Sequence, residues 1–355
     1  MTSPRIFGVD LFCGVGGLTY GLQRAGIEIV AGVDVDPACA YPYTRNCGGT
    51  FVLSDIRSLN GSQLEDLYPS DSIRLLAGCA PCQPFSPHRR KAGRTSEEDW
   101  ALLREFSRLV HELRPELVTM ENVPGLATKP VFLEFVASLR HLYDVDFRSL
   151  HCPKFGIPQH RRRMVLVASR IGPVRVPAPR RSKKEFPTVR KAIGHLPSIK
   201  AGEVDPKDPL HRARAITDIN LRRLQASKPG GTWRDWPSEL RSACHLKATG
   251  RSYQSVYARM EWDEPAPTIT TQACNFGTGR FGHPEQDRAI TLREAAILQS
   301  FPRHYEFVEP EKQVFISQIG RLIGNAVPPR LAYFVGVELE RTARRSQSTS
   351  HERGA

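Results

Sequence analysis

The sequence predicts an α/β protein, an open sheet with parallel strands, joined to a second region of different composition. Three observations carry this. Short apolar runs at Ile6–Phe12, Ile27–Val33, Ile73–Ala77 and Leu117–Met120 each lead into glycine, acid or proline, as buried strands do. Helical spacing appears between them, from Leu18 and again over Trp100–Leu113 and Pro130–His141. After Ala168 the periodicity weakens and basic residues accumulate.

The first strand ends in Asp10-Leu11-Phe12-Cys13-Gly14-Val15-Gly16-Gly17 before a helix begins at Leu18. Glycines between a strand and a helix let the backbone approach a ligand closely. The second strand ends in Asp34. An acid about 20 positions after a glycine turn can take both hydroxyls of a ribose. The full G-x-G-x-x-G pattern is absent, because Thr19 stands in its last position. A plain tight turn is the alternative to a ligand loop, and Asp34 tips the balance toward an adenosine-type cofactor. Phe51-Val52-Leu53 leads to Asp55 and Ile56. Either this is a third strand end, with Ile56 packing on an adenine, or Asp55 caps the next turn.

Ile73–Ala77 runs into Gly78-Cys79-Ala80-Pro81-Cys82-Gln83-Pro84-Phe85-Ser86. A cysteine fixed behind Pro81, past the end of a parallel strand, sits where open α/β sheets place ligands. His88, Arg89, Arg90, Lys91 and Arg94 follow, and positive charge favours a thiolate. A buried structural cysteine is the alternative. Trp100–Leu113 places Leu102, Leu103, Phe106, Leu109, Val110 and Leu113 at helical spacing, which suits a core. Leu117–Met120 ends in Glu121, a second chemical candidate at a strand end, or else an ion-paired carboxylate. Val145–Leu150 looks extended. Gln159-His160-Arg161-Arg162-Arg163 enters the apolar strand Met164–Ala168. Alternation puts Arg161 and Arg163 on one face, where arginines can clamp a carboxylate or a carbonyl bidentately; a solvated charge run is the alternative.

Ile171–Lys184 is rich in Pro and Arg and reads as a linker. From 181 to 290 there are 19 Lys+Arg against 12 Asp+Glu, +7 of a total +13. Trp233, Trp236, Tyr253, Tyr257 and Phe281 are interleaved with them, a mixture that suits a nucleic-acid surface. The net charge by itself favours a polyanionic partner. Thr291–Gln299 reads as a helix ended by Phe301-Pro302, and Gln318–Pro329 leads into another from Leu331 to about Glu340. The Arg/Ser-rich tail 343–355 is expected to be disordered. The eight cysteines are scattered, which suggests reduced thiols in a cytosolic-type compartment. Cys79-x-x-Cys82 lacks a second pair at zinc spacing, so no metal is expected. No apolar run is long enough to span a bilayer.

In order, the chain shows Asp10–Gly17, Pro81-Cys82-Gln83, Glu121-Asn122-Val123, Gln159–Arg163, Arg293-Glu294 through Gln299-Ser300-Phe301-Pro302, and Gly324-Asn325-Ala326-Val327-Pro328. Together these resemble the DNA (cytosine-5) methyltransferase family of the bacterial restriction-modification type, from about Ile6 to about Glu340. Asp34 replaces the frequent Glu at the end of the second strand, and Val35 stands where an aromatic residue often meets adenine.

The resemblance implies a doubly wound, mainly parallel, Rossmann-like sheet of the S-adenosylmethionine-dependent methyltransferases, with a smaller target-recognition domain. The catalytic and cofactor-binding domain would span 1–180, the recognition domain with its hinge 181–312, and the segment 313–342 would return to the first. The cofactor implied is S-adenosylmethionine, lined by Phe12, Gly14, Gly16, Asp34, Val35, Asp55, Ile56, Pro81, Leu102 and Asn325. Cys82 would be the nucleophile, adding to C6 of a flipped-out cytosine. Glu121 would hold the N3/N4 edge, Arg163 the O2 carbonyl, and Arg161 beside it would support the anionic site. Ser86, Arg89, Arg90, Lys91 and Arg94 in a basic loop, with Thr268, are the expected DNA contacts. Double-stranded DNA is the implied partner and a cognate restriction endonuclease a functional companion. A monomer is expected, in the cytoplasm and nucleoid-associated if the source is prokaryotic. Three other readings compete: the same chemistry on tRNA, a catalytically silent DNA binder, and a disulfide oxidoreductase using Cys79-x-x-Cys82.

Overall fold

The computed structural model describes residues 5–81, 100–247 and 256–354, without the side chains of residues 244 and 349–354. Cys82, Ser86, Arg89, Arg90, Lys91, Arg94 and Tyr253 lie outside the described residues. The chain divides into two units. One gathers Met1–His151, Arg162–Pro179 and Ala326–Ala355; the other is Cys152–Arg161 with Arg180–Asn325.

The first unit is built on one seven-stranded sheet. Its strands are β1 (Ile6–Leu11), β2 (Glu28–Asp34), β3 (Thr50–Leu53), β4 (Ile73–Gly78), β5 (Leu117–Asn122), β6 (Asp144–His151) and, after the two-residue β7 (Gln159–His160) of the other unit, β8 (Arg162–Ser169). The order is β3-β2-β1-β4-β5-β8-β6. Pairs from β3 through β5 are parallel, while β8 runs antiparallel to both β5 and β6. The order reverses direction between β1 and β4, which makes a topological switch point there. Every residue of β1 and β5 is buried, the signature of central strands covered on both faces.

Helices α1 (Gly17–Arg24), α2 (Ala40–Cys47), α3 (Gly61–Glu65), α4 (Ala101–Leu113) and α5 (Pro130–Leu139) connect the strands. Phe106, Leu109 and Val110 of α4 and Phe132, Phe135 and Val136 of α5 pack with Val9, Leu11, Val118 and Met120 of the sheet in one core. At ~1.5–3 kcal/mol for each large apolar side chain fully buried, this core anchors the strand ends that carry the chemistry. The helix Pro329–Gly354 closes the unit against α1. Leu331, Val335 and Leu339 recur at helical spacing and are buried. A Cβ on Gly21 would collide with the Pro329 carbonyl and Ala332, so glycine is required where the two helices approach. This helix continues to Gly354 through the tail expected to be disordered. Arg341 pairs with Glu338 at 2.5 Å and Arg344 with Glu340 at 2.5 Å, extending the helix past its buried face by i,i+3 and i,i+4 contacts.

The second unit has short elements: α6 (Val189–Ile193), β9 (Val204–Asp205), β10 (Asp208–Arg212), α7 (Asp218–Gln225), α8 (Ala243–Leu246), β11 (Ala266–Pro267), α9 (Leu292–Leu298) and α10 (Ile316–Asn325). With so little regular structure, large aromatics and ion pairs supply its core. Leu224, Trp233, Trp236, Leu240, Phe276 and Ala289 form a buried cluster. Arg288 holds Glu294 through two 2.7 Å hydrogen bonds, both side chains fully buried. Glu294 also completes the capping box with Thr291 that starts α9. The return to the first unit falls at Ala326 rather than at 313, because α10 stays with the second unit: a Cβ on Gly324 would run into the backbone of Thr270 and Thr271.

Candidate active site

The glycine loop after β1 and the loop after β4 leave the sheet side by side at the switch point. Cys79 donates its amide to the Leu11 carbonyl at 3.3 Å, so both turns start from one register. Phe12 has φ 60°, Gly14 φ 53° and Gly16 φ 88°. Alternating left-handed residues turn the chain sharply into α1, and only the glycines adopt such angles without cost. A Cβ on Gly14 would meet nothing within 4 Å, so its backbone is open to a ligand.

Asp34 ties this loop to the end of β2. Its Oδ2 accepts the Gly14 amide at 2.8 Å and its Oδ1 the Asp36 amide at 2.9 Å. Burial raises its pKa, opposed by these bonds. Each carboxylate oxygen keeps a second lone pair for a hydroxyl donor. Val35 next to it is 67% exposed. Phe12, Ile56 and Leu102 pack in the same cluster, Ile56 buried and the other two half-covered. These features fit an adenosine group: an acid for ribose, uncovered apolar surface, and open glycine backbone. Asp55 caps the turn at Ile56. It accepts the Arg57 amide at 3.0 Å and pairs with the Arg57 guanidinium, which lowers its pKa. Pro81 is exposed at the last described position of its loop.

Asp10 is one residue that sequence reasoning missed. It is wholly buried beneath the glycine loop. Thr19 donates to its Oδ2 at 2.7 Å, while Oδ1 has no hydrogen-bond partner among the described residues. Burial pushes its pKa up to about 7. Its sequence signals are its place at the head of the Asp10–Gly17 block and its charge inside an otherwise apolar strand.

On the β4 side of the switch point, Glu121 and Arg163 meet. Glu121 lies one residue from the end of β5, and Arg163 is the second residue of β8. Because β8 runs antiparallel, its start comes to the edge where β5 ends; Glu121 pairs with Val165 and Asn122 with Met164. Arg163 Nε lies 2.9 Å from Glu121 Oε1, with Glu121 5% exposed. The approach is that of an ion pair without hydrogen-bond alignment, and Oε1 has no hydrogen-bond partner among the described residues. On the other oxygen, the Cys79 thiol donates to Oε2 at 3.2 Å. Asn122 Nδ2 donates to the Ala80 carbonyl at 3.0 Å, stitching the two strand ends together. Neither the Cys79 nor the Asn122 contact was legible beforehand, since both depend on which strands are neighbours.

Arg161 lies in the second unit. It donates to the main-chain carbonyl of Ile269 at 3.0 Å and of Gly324 at 3.3 Å, and the residue is 2% exposed. Gln159 accepts the Ile269 amide at 2.8 Å, so these two side chains hold both polar groups of one peptide segment. Arg161 is therefore a main-chain clamp of the second unit. Thr268, beside it, donates to the His160 carbonyl at 2.6 Å. Asn325 is exposed at the end of α10. Trp233, Trp236 and Phe281, expected at a nucleic-acid surface, are buried instead. Arg223 covers the rings of Trp236 and Tyr257 at 5.7 and 5.5 Å. They serve as core because the small unit offers few aliphatic residues at regular spacing.

A glycine loop after β1 and a carboxylate–arginine pair where β5 ends and β8 begins, on one edge of one sheet, give the first unit the build of a Rossmann-like methyltransferase. The profile of the C-5 cytosine-specific DNA methylases matches residues 6–341, and the chain belongs to that family. It is 49% identical to the type II methylase M.HgiDII of Herpetosiphon aurantiacus over 94% of each chain. It is 33% identical to the type II methyltransferase M1.HphI of Haemophilus parahaemolyticus, over 91% of this chain and 84% of that one. Among solved structures, a prophage-encoded DNA modification methyltransferase of E. coli shares the fold with TM-score 0.72 and 22% identity, covering 95% of this chain and 99% of that one. The protein is thus an enzyme that transfers a methyl group to C5 of cytosine in DNA. The disulfide-oxidoreductase, silent-binder and tRNA readings fall away. Family membership implies S-adenosylmethionine as the methyl donor. Among the described residues no helix is long and apolar enough to cross a membrane.

Proposed function

We propose that the enzyme works through a covalent Cys82 adduct on a cytosine flipped out of a specific duplex sequence, with Glu121 and Arg163 as its base-reading pair. The observation that carries this is the buried Glu121–Arg163 contact at 2.9 Å, on the edge of the sheet from which the Cys82 loop departs. A carboxylate beside a guanidinium matches the polar edge of cytosine: Glu121 takes the N3/N4 side and Arg163 the O2 carbonyl. The Cys82 thiolate adds to C6, and Glu121 supplies a proton to N3 as negative charge develops there. C5 becomes enamine-like and nucleophilic. S-adenosylmethionine, when bound, supplies the electrophilic methyl group. Loss of the C5 proton to a water, return of the N3 proton to Glu121 and departure of the Cys82 thiolate then release 5-methylcytosine. A stacked cytosine exposes neither face of C6, so flipping is required.

Phe12, Gly14, Gly16, Asp34, Val35, Asp55, Ile56, Pro81, Leu102 and Asn325 hold the cofactor in this reading, with Asp34 on the ribose. Ser86, Arg89, Arg90, Lys91, Arg94 and Thr268 contact DNA. A cognate restriction endonuclease is the companion, and the enzyme acts as a monomer. A duplex carrying 5-fluorocytosine at the target tests the mechanism. Fluorine cannot leave as a cation, so the adduct persists. Wild type and Cys79→Ser should give a band stable to a denaturing gel, and Cys82→Ser none while still binding cofactor and DNA. A trapped band with Cys82→Ser would overturn the reading.

A further inference from the structure

We propose that Cys79 is a positioning residue for the reaction, whose thiol fixes the Glu121 carboxyl so that Oε1 faces the base. The inference rests on Glu121 being the base-reading carboxylate. Three contacts on two neighbouring strand ends support it. The Cys79 thiol donates to Oε2 at 3.2 Å. Arg163 Nε stands 2.9 Å from Oε1 out of hydrogen-bond alignment, and that oxygen, buried to more than nine-tenths, accepts no hydrogen bond among the described residues. Asn122 Nδ2 grips the Ala80 carbonyl at 3.0 Å and the Cys79 amide is bonded to Leu11, so the cysteine is held on both sides.

The arrangement divides the labour of one carboxyl group. A Glu side chain ends in a broad, nearly free torsion, and Arg163 engages one oxygen without fixing the carboxyl plane. A donor on Oε2 sets that plane and leaves Oε1 free to accept from the amino group of cytosine and to carry the proton given to N3. The thiol is a weak donor, which suits a contact that must yield slightly as the proton moves. Cys79 touches neither base nor cofactor in this account. It acts only through Glu121.

The test follows the rate of adduct formation on 5-fluorocytosine duplex, with KM for DNA and for S-adenosylmethionine measured beside it. Cys79→Ala should slow the adduct step about fivefold, the scale of one lost hydrogen bond, with both KM values unchanged. Cys79→Ser, which keeps a donor, should stay within about twofold of wild type on the same scale. In a Glu121→Gln background, Cys79→Ala should slow the step no further, because the two residues act as one unit. A wild-type rate for Cys79→Ala, equal losses for Ala and Ser, or additive losses in the double variant would each overturn the proposal. A wild-type rate for Glu121→Gln itself would instead remove the reading on which it rests, which separates the two failures.

Discussion

Asp34 accepts the amide of Gly14 across twenty positions, Oδ2 to nitrogen at 2.8 Å. One carboxylate thereby fixes the glycine loop and stays available to a ribose at the same edge. Asp34→Asn would turn an NH2 donor against the Gly14 or Asp36 amide, and Asp34→Ala would leave both amides without the acceptor. Either variant should weaken S-adenosylmethionine binding by tenfold or more, the order expected for lost hydrogen bonds to a charged group. DNA affinity should hardly change. Calorimetry giving wild-type cofactor affinity would reject the assignment.

Asp10 predicts a pH signature in stability. Its folded-state pKa of about 7 lies above the ordinary 3.8, so the native state binds more protons than the unfolded chain between these values. Stability from this group is then fully present below about pH 4 and is lost as pH rises toward 7. Asp10→Asn, which cannot ionise, should gain on wild type in urea melts as pH is raised from 4.5 to 8. Parallel pH dependence in the two proteins would exclude Asp10 as the source.

Much of this was legible in the chain and some was not, for a physical reason. Asp34 and Glu121 could be placed because each closes an apolar run, and strand ends are local features. The pairing of Glu121 with Arg163 was not legible, since nothing in a sequence says that β8 enters antiparallel and brings Arg163 to the end of β5. Arg161 shows the limit of alternation. Two residues apart on one face, Arg161 and Arg163 belong to different units, because the chain passes from β7 to β8 between them. The aromatics were misread for a related reason: Trp233 and Trp236 lack helical or strand periodicity, yet they are the core of a unit with few regular elements.

Charge predicts the response of binding to salt. The chain carries +13, of which +7 lies between 181 and 290. If that surplus neutralises phosphates, DNA affinity should fall with a log-log slope of about −0.9 for each phosphate contacted. Titrations between 50 and 200 mM salt, roughly the range over which such contacts show, should give a steep line. A flat line would count against a phosphate-binding role for this region.

Arg161 and Arg163 should fail in opposite ways when replaced by alanine. Arg163 is half-buried against Glu121, and its backbone position is set by the β5 and β6 ladders rather than by its side chain. Arg163→Ala should leave the melting temperature within a few degrees, for a loss of roughly 1 kcal/mol, and lower the methyl-transfer rate by about a hundredfold or more, the scale of losing one preorganised charge-stabilising donor. Arg161 bonds the Ile269 and Gly324 carbonyls from a fully enclosed position. Arg161→Ala leaves both buried acceptors without that donor, at about 1–3 kcal/mol each, and opens a cavity besides. Its melting temperature should fall by several degrees or more, and the fraction that remains folded should form the 5-fluorocytosine adduct at close to the wild-type rate. Arg161→Lys should recover part of the stability through one retained donor, whereas Arg163→Lys should recover little activity, because an ammonium cannot present the planar fork that a base carbonyl and a carboxylate share. Thermal melts and single-turnover adduct rates on the same four proteins decide the matter. A stable but inactive Arg161→Ala would return that residue to the chemistry.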